Sequence, residues 1–172
     1  MSNSSLILIR DQDKLLKHDF RHSATAEDLF RSTLNSVVFS SYSGYNLSEK
    51  PLYSAGYSNR VGLVLMGDGL AGLTYNTSNP CSQLNIDGRR LYSTIKVNFE
   101  GNLAAILVAG NTEESRSIEQ FLKEVEVPII GKYLDNWDHL DSEKLIKDIL
   151  VIPKKKKVIL RVRSKGYMSL TP

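Results

Sequence analysis

Val61-Gly62-Leu63-Val64-Leu65-Met66-Gly67-Asp68-Gly69-Leu70-Ala71-Gly72-Leu73-Thr74 is the stretch on which the fold turns. It opens with an apolar run from Val61 to Met66, the signature of a buried strand. Gly67, Gly69 and Gly72 then spell G-x-G-x-x-G, and Asp87 stands twenty residues beyond Gly67, where a dinucleotide site keeps its ribose-binding acid. That chemistry needs a helix directly after the glycines, so that backbone N–H groups at its N-terminus can hold a pyrophosphate. Leu73-Thr74-Tyr75-Asn76-Thr77-Ser78-Asn79-Pro80 follows instead, and cannot make a useful helix. The alternative is a β-hairpin turning at Asp68-Gly69. It makes this part of the sheet antiparallel and argues against a dinucleotide site.

Outward from this hairpin, Leu52 to Val108 reads as β. Ile95, Val97 and Phe99 alternate with Lys96 and Asn98, the period of a half-buried strand over Leu91 to Phe99. Gly101-Asn102 sits where a tight turn would send the chain back along Leu103 to Val108. Asn76 to Arg90, polar and containing Pro80, reads as a long surface loop. Upstream, Leu6 to Ile9 reads as a short strand. Thr25, with Asp28 three residues on, opens a helix whose apolar face is Ala26, Leu29, Phe30, Leu34, Val37 and Val38. The tyrosine-rich residues 40–51 read as a loop.

Downstream, Asn111 and Glu114 have the N-cap and N3 spacing, and Ile118, Phe121, Leu122 and Val125 follow at helical spacing until Pro128. Asp141 or Ser142 would cap a short helix bearing Leu145, Ile146, Ile149 and Leu150, stopped by Pro153. Val158, Leu160 and Val162 alternate with Ile159, Arg161 and Arg163 as a last strand. The expectation is a single α+β domain, mainly antiparallel sheet with about three helices packed on it. Residues 1–24 would be an N-terminal strand and polar arm, 25–163 the domain, and 164–172 a short C-terminal tail.

Composition agrees with a globular chain. Of 172 residues, 41% are hydrophobic and 24% charged. The apolar runs are too short to span a bilayer, and the N-terminal residues do not resemble a secretion signal. Cys81 is the only cysteine, so no intrachain disulfide forms. These features point to the cytoplasm or nucleus, neither secreted nor transmembrane, which makes the sequons at Asn3, Asn46 and Asn76 irrelevant. Charge is unevenly placed. Seven of the 22 basic residues and none of the 19 acidic ones fall in Pro153 to Pro172, so a body of net −4 carries an end of +7.

The candidate site lies in that end. Lys154, Lys155, Lys156 and Lys157 follow Pro153, and Arg161, Arg163 and Lys165 extend the basic set. Four adjacent lysines suit an anionic membrane surface, nucleic-acid phosphates or a nuclear import receptor. The bland alternative is a strand edge guarded by lysine against aggregation. Tyr167 and Leu170 match the tyrosine-x-x-apolar pattern of sorting signals, as do Tyr92 and Ile95. Tyr42, Tyr45, Tyr53 and Tyr57 cluster near Lys50 and Arg60, suited to base stacking or self-association. His18 and His22 have the spacing of a metal pair on a helix, with His139 or Cys81 as further ligands, against the simpler view of two solvated side chains. His139 within Trp137 to Asp141 is a base flanked by acids but without a nucleophile. No catalytic constellation, cofactor site or complete metal site is expected.

The order of elements resembles something known. A capped helix (Thr25 to Val38), Lys50-Pro51-Leu52-Tyr53, strands, a polar loop, the strand Leu91 to Phe99 and a closing helix-strand unit (Asp141 to Val162) resemble the matrix proteins of rhabdoviruses, particularly the short plant-infecting type, across roughly residues 25–163. The N-terminus lacks the basic arm usual in relatives from animal viruses, and no P-P-x-Y or P-S-A-P occurs. The resemblance implies a non-enzymatic virion protein that self-associates and links the nucleocapsid to membrane, with Lys154 to Lys157 carrying the membrane contact.

Overall fold

The computed structural model describes residues 24–39, 44–57, 61–74, 82–135, 146–162 and 166–170. Among these residues, ten short strands form two sheets of five. The first is built from β1 (Val38–Phe39), β3 (Leu52–Tyr57), β8 (Lys147–Ile152), β9 (Lys157–Val162) and β10 (Gly166–Leu170), in the order β1-β3-β8-β9-β10. The second contains β2 (Tyr45–Ser48), β4 (Gly62–Met66), β5 (Ala71–Thr74), β6 (Ala104–Asn111) and β7 (Ile129–Asp135), in the order β2-β5-β4-β6-β7. Neighbours are antiparallel except β1 with β3 and β6 with β7, which run parallel.

The apolar runs explain why the sheets stack. A strand with apolar residues at every position must bury both faces. In β4, Val64 and Met66 enter a core between the two sheets, while Leu63 and Leu65 enter a second core beneath helices. β6 divides Ile106 and Val108 from Ala105 and Leu107 in the same way. In β8, Ile149 and Val151 face the other sheet, and Leu150 and Ile152 face a third core. That third core is closed by α1 (Ala24–Thr33) through Ala26 and Phe30. The second is closed by α2 (Ser82–Asn98) through Leu91 and Ile95, and by α3 (Thr112–Glu124) through Ile118, Phe121 and Leu122. The result is a four-layer α/β/β/α sandwich, an α+β architecture with three helices among the described residues.

The hairpin at Asp68-Gly69 is present. Met66 pairs with Ala71, the Gly67 N–H donates to the Leu70 carbonyl at 2.9 Å, and Gly69 takes φ +77°. A Cβ on Gly72 would lie 2.3 Å from Leu91 Cδ1, so this glycine admits α2 onto the sheet. α3 starts directly after Asn111, as its capping pattern predicts. It ends before Pro128 in a Schellman arrangement: Glu126 at φ 57°, with Val127 N–H donating to Leu122 O at 2.9 Å and Glu126 N–H to Lys123 O at 3.2 Å.

Several expectations are corrected. Leu91 to Phe99 is no strand, and residues from Ser82 onward are no loop; they form α2. Leu91 and Ile95, four apart, are fully buried, whereas Val97 is 86% exposed, so the alternation of Ile95, Val97 and Phe99 was coincidental. Leu103 to Val108 is a strand, but it pairs with β4 and β7. The helix expected around Ile149 and Leu150 is β8, because extended backbone buries Ile149, Leu150, Val151 and Ile152 on two faces at once. α1 gives way to a 3-10 turn at Leu34–Ser36, leaving Val38 in β1. Tyr45–Ser48 is a strand within the expected loop. Gly166–Leu170 pairs along β9, so the sheet continues through residues assigned to a tail. The expected strand Leu6 to Ile9 lies outside the described residues.

Candidate anion-binding face

The β8–β9 ladder closes at Ile152 opposite Lys157, leaving Pro153 to Lys156 as the turn. Proline starts it well, because its ring presets φ and it needs no N–H partner there. Pro153–Lys155 form a 3-10 turn, and Lys156 adopts the left-handed conformation at φ 48° and ψ 45°. Its N–H returns to the Pro153 carbonyl at 2.9 Å. Pro153 is buried beneath the tip, Lys154, Lys155 and Lys156 are exposed, and Lys157 is half-buried. The lysine run is therefore a rigid hairpin tip, held by two strands buried on both faces. The Lys156 ammonium lies 3.0 Å from the Asp68 carboxylate in the β4–β5 turn, so the hairpins of the two sheets meet at this end.

Strand register adds a residue that sequence reasoning did not place here. Leu52 pairs with Val151, which sets the turn before β3 beside the lysine hairpin. Ser48 pairs with Ala71, which brings the same turn to the Asp68 hairpin. Glu49 and Lys50 are exposed there. In sequence Lys50 stands among the tyrosines and Asp68 among the glycines. Only the pairing of strands distant in sequence unites them, and composition does not carry that.

Arg161, from the same basic set, is engaged elsewhere. Arg161 Nε donates to the buried Asp148 carboxylate at 2.6 Å, and its Nη2 contacts the same oxygen and the Tyr53 hydroxyl. The guanidinium also lies 4.9 Å from the Phe30 ring centroid. Asp148 is fully buried and accepts a further bond from Gly56 N–H at 2.9 Å. Arg161 thus satisfies an interior charge and is withdrawn from the binding set. Arg163 and Lys165 lie outside the described residues. Tyr167 and Leu170 fall in β10, opposite Arg161 and Val158. A stretch paired in a sheet is not the free extended peptide that a sorting receptor binds.

The remaining candidates separate clearly. Gly67, Gly69 and Gly72 serve a hairpin, and Asp87 is buried in α2 against Gly44. Tyr57 is fully buried, with its hydroxyl donating to the Thr74 carbonyl. Tyr53 meets Phe30 edge-on at 5.8 Å, and the Tyr45 hydroxyl is 3.2 Å from that of Thr94. Tyr92 lies on α2, edge-on to Phe121 at 5.5 Å, and Ile95 is fully buried. His18, His22, His139, Cys81, Trp137 and Tyr42 lie outside the described residues. No group of three metal-ligating side chains occurs among the described residues. A groove of about 330 Å³ lies where α2 and α3 end, lined by Tyr92, Lys96, Leu103 and Val127 among others. No helix among the described residues is long and apolar enough to cross a membrane. Neither a family model nor a curated protein matches the chain.

Proposed function

We propose that the protein is a non-enzymatic assembly module that docks on an anionic membrane surface through the β8–β9 hairpin. The observation carrying this reading is the display of Lys154, Lys155 and Lys156 on a rigid tip, with Lys50 at the same end. Lysines near an anionic leaflet contribute about 1 kcal/mol each, so one copy binds weakly and several linked copies bind tightly. Membrane is favoured over nucleic acid because Tyr45, Tyr53 and Tyr57 are engaged within the fold and offer no stacking platform beside the lysines.

Self-association and linkage of a nucleocapsid to membrane, the wider matrix-like role, belong to the same proposal. Its support is the lysine hairpin, since two elements behind the resemblance differ: Leu91 to Asn98 is helical, and Lys147 to Leu150, part of the expected closing helix, is extended. The test is co-flotation with anionic liposomes, with and without excess RNA, for wild type and a variant with Lys154 to Lys157 changed to glutamine. Lysine-dependent flotation that survives RNA is expected. Absence of flotation together with lysine-dependent RNA binding would transfer the role to nucleic acid. Concentration-dependent sedimentation tests self-association.

A further inference from the structure

Resting on the docking role above, we propose that Asp68 is a resident counter-ion that sets which anions the lysine hairpin accepts. In this role it disfavours singly charged head groups and yields to phosphate monoesters, such as those of a bisphosphorylated inositol lipid.

Lys156 occupies a left-handed position, φ 48°, where glycine or asparagine fits with less strain. A lysine is not needed to make this turn. Its side chain crosses to the hairpin of the other sheet, where the carboxylate of Asp68 lies 3.0 Å from the ammonium. Asp68 is itself held in place by a tight turn, with Gly69 at φ +77° and the Gly67 N–H bonded to the Leu70 carbonyl. The side chains are 56% and 83% exposed, so the pair is weak and open to exchange with a ligand.

The exchange depends on charge. A serine carboxylate or a lipid phosphodiester brings one negative charge, the same as Asp68, so replacing Asp68 on Lys156 gains little. A phosphate monoester brings about −1.5 to −2 and three acceptor oxygens, so it gains both charge and hydrogen bonds. Lys154 and Lys155, exposed beside Lys156, supply further donors for such a group.

The experiment is flotation with phosphatidylserine vesicles and with vesicles carrying a bisphosphorylated inositol lipid, matched in total surface charge. Wild type should prefer the second. Asp68→Asn should strengthen binding to phosphatidylserine vesicles about three- to five-fold and narrow the preference. In a Lys156→Gly background, where the turn is relieved and the chain still folds, Asp68→Asn should raise binding to both kinds of vesicle alike, as loss of any acid near an anionic surface does, and leave the preference unchanged. Lysine-dependent flotation that Asp68→Asn leaves unchanged would overturn this inference and leave docking intact. Flotation that ignores the lysines altogether would overturn docking itself. Full release by soluble inositol trisphosphate, at a concentration equal to the accessible lipid head groups, would reassign the site to a free phosphate ester.

Discussion

Gly72→Ala tests how closely α2 lies on its sheet. The new Cβ would stand 2.3 Å from Leu91 Cδ1, 3.0 Å from its Cγ and 3.1 Å from its Cδ2. Rotating one methyl does not resolve three close approaches, and Leu91 is fully buried among Leu63, Ile95 and Leu107. Overpacking of this kind costs about 1–3 kcal/mol. Replacing a strand glycine returns about 0.5–1 kcal/mol through the unfolded chain, so a net loss of about 1–2 kcal/mol is expected. Leu91→Ala alone should cost about 2–5 kcal/mol by opening a cavity. In the double variant the added methyl enters that cavity, so the two losses should fall short of additivity by about 1–3 kcal/mol. Urea unfolding with linear extrapolation measures all four proteins, and the slope should not change. Additivity within about 0.5 kcal/mol would refute the contact between Gly72 and Leu91.

Three further outcomes are expected. Val97→Lys should change stability by less than about 0.5 kcal/mol, since Val97 is 86% exposed on α2; a loss of several kcal/mol in chemical denaturation would restore the strand. Glu126→Gly should raise the thermal midpoint, because φ 57° strains a residue with a Cβ by about 1–2 kcal/mol, partly offset by glycine's entropy; an unchanged or lower midpoint counts against the Schellman geometry. Asp148→Ala should destabilise by about 3–5 kcal/mol, because it removes the carboxylate that bonds both the Arg161 guanidinium and the Gly56 N–H; co-substitution of Arg161→Met should recover part of the loss in the same melts.

What was legible in the sequence follows from burial geometry. The runs Val61 to Met66 and Leu103 to Val108 announced strands buried on both faces, and α3 announced itself because one stripe of it is apolar. α2 was hidden because, from Ile86 to Asn98, Leu91 and Ile95 are its only fully buried apolar side chains. Its inward residues include Asp87 and Gly88 beside Leu91 and Ile95, and Gly88 is there because a Cβ would meet Ile118 at 2.5 Å. β8 was misread because Ile149 and Leu150 continue a helical period read from Leu145 and Ile146, while Lys147 and Asp148 look like surface residues and are fully buried. The lysines were legible as a cluster. Their companions Lys50 and Asp68 were not, and neither was the diversion of Arg161 to Asp148, because each depends on which strands become neighbours.

Burial on both faces also removes the usual penalty against misaligned strands. Where one face meets water, slipping a strand by one residue exposes its apolar side chains. In β8, Ile149, Leu150, Val151 and Ile152 would exchange one oily compartment for another at little cost. Alignment must then be enforced by the few side chains that are not interchangeable. Asp148 sits directly opposite Arg161 and also takes the Gly56 N–H, so a single carboxylate keys β3, β8 and β9 to one another. Displaced by one position, it would leave Arg161 for the apolar compartment that holds Val64 and Leu160. The ion pair under α1 thus acts as a tooth in a lock.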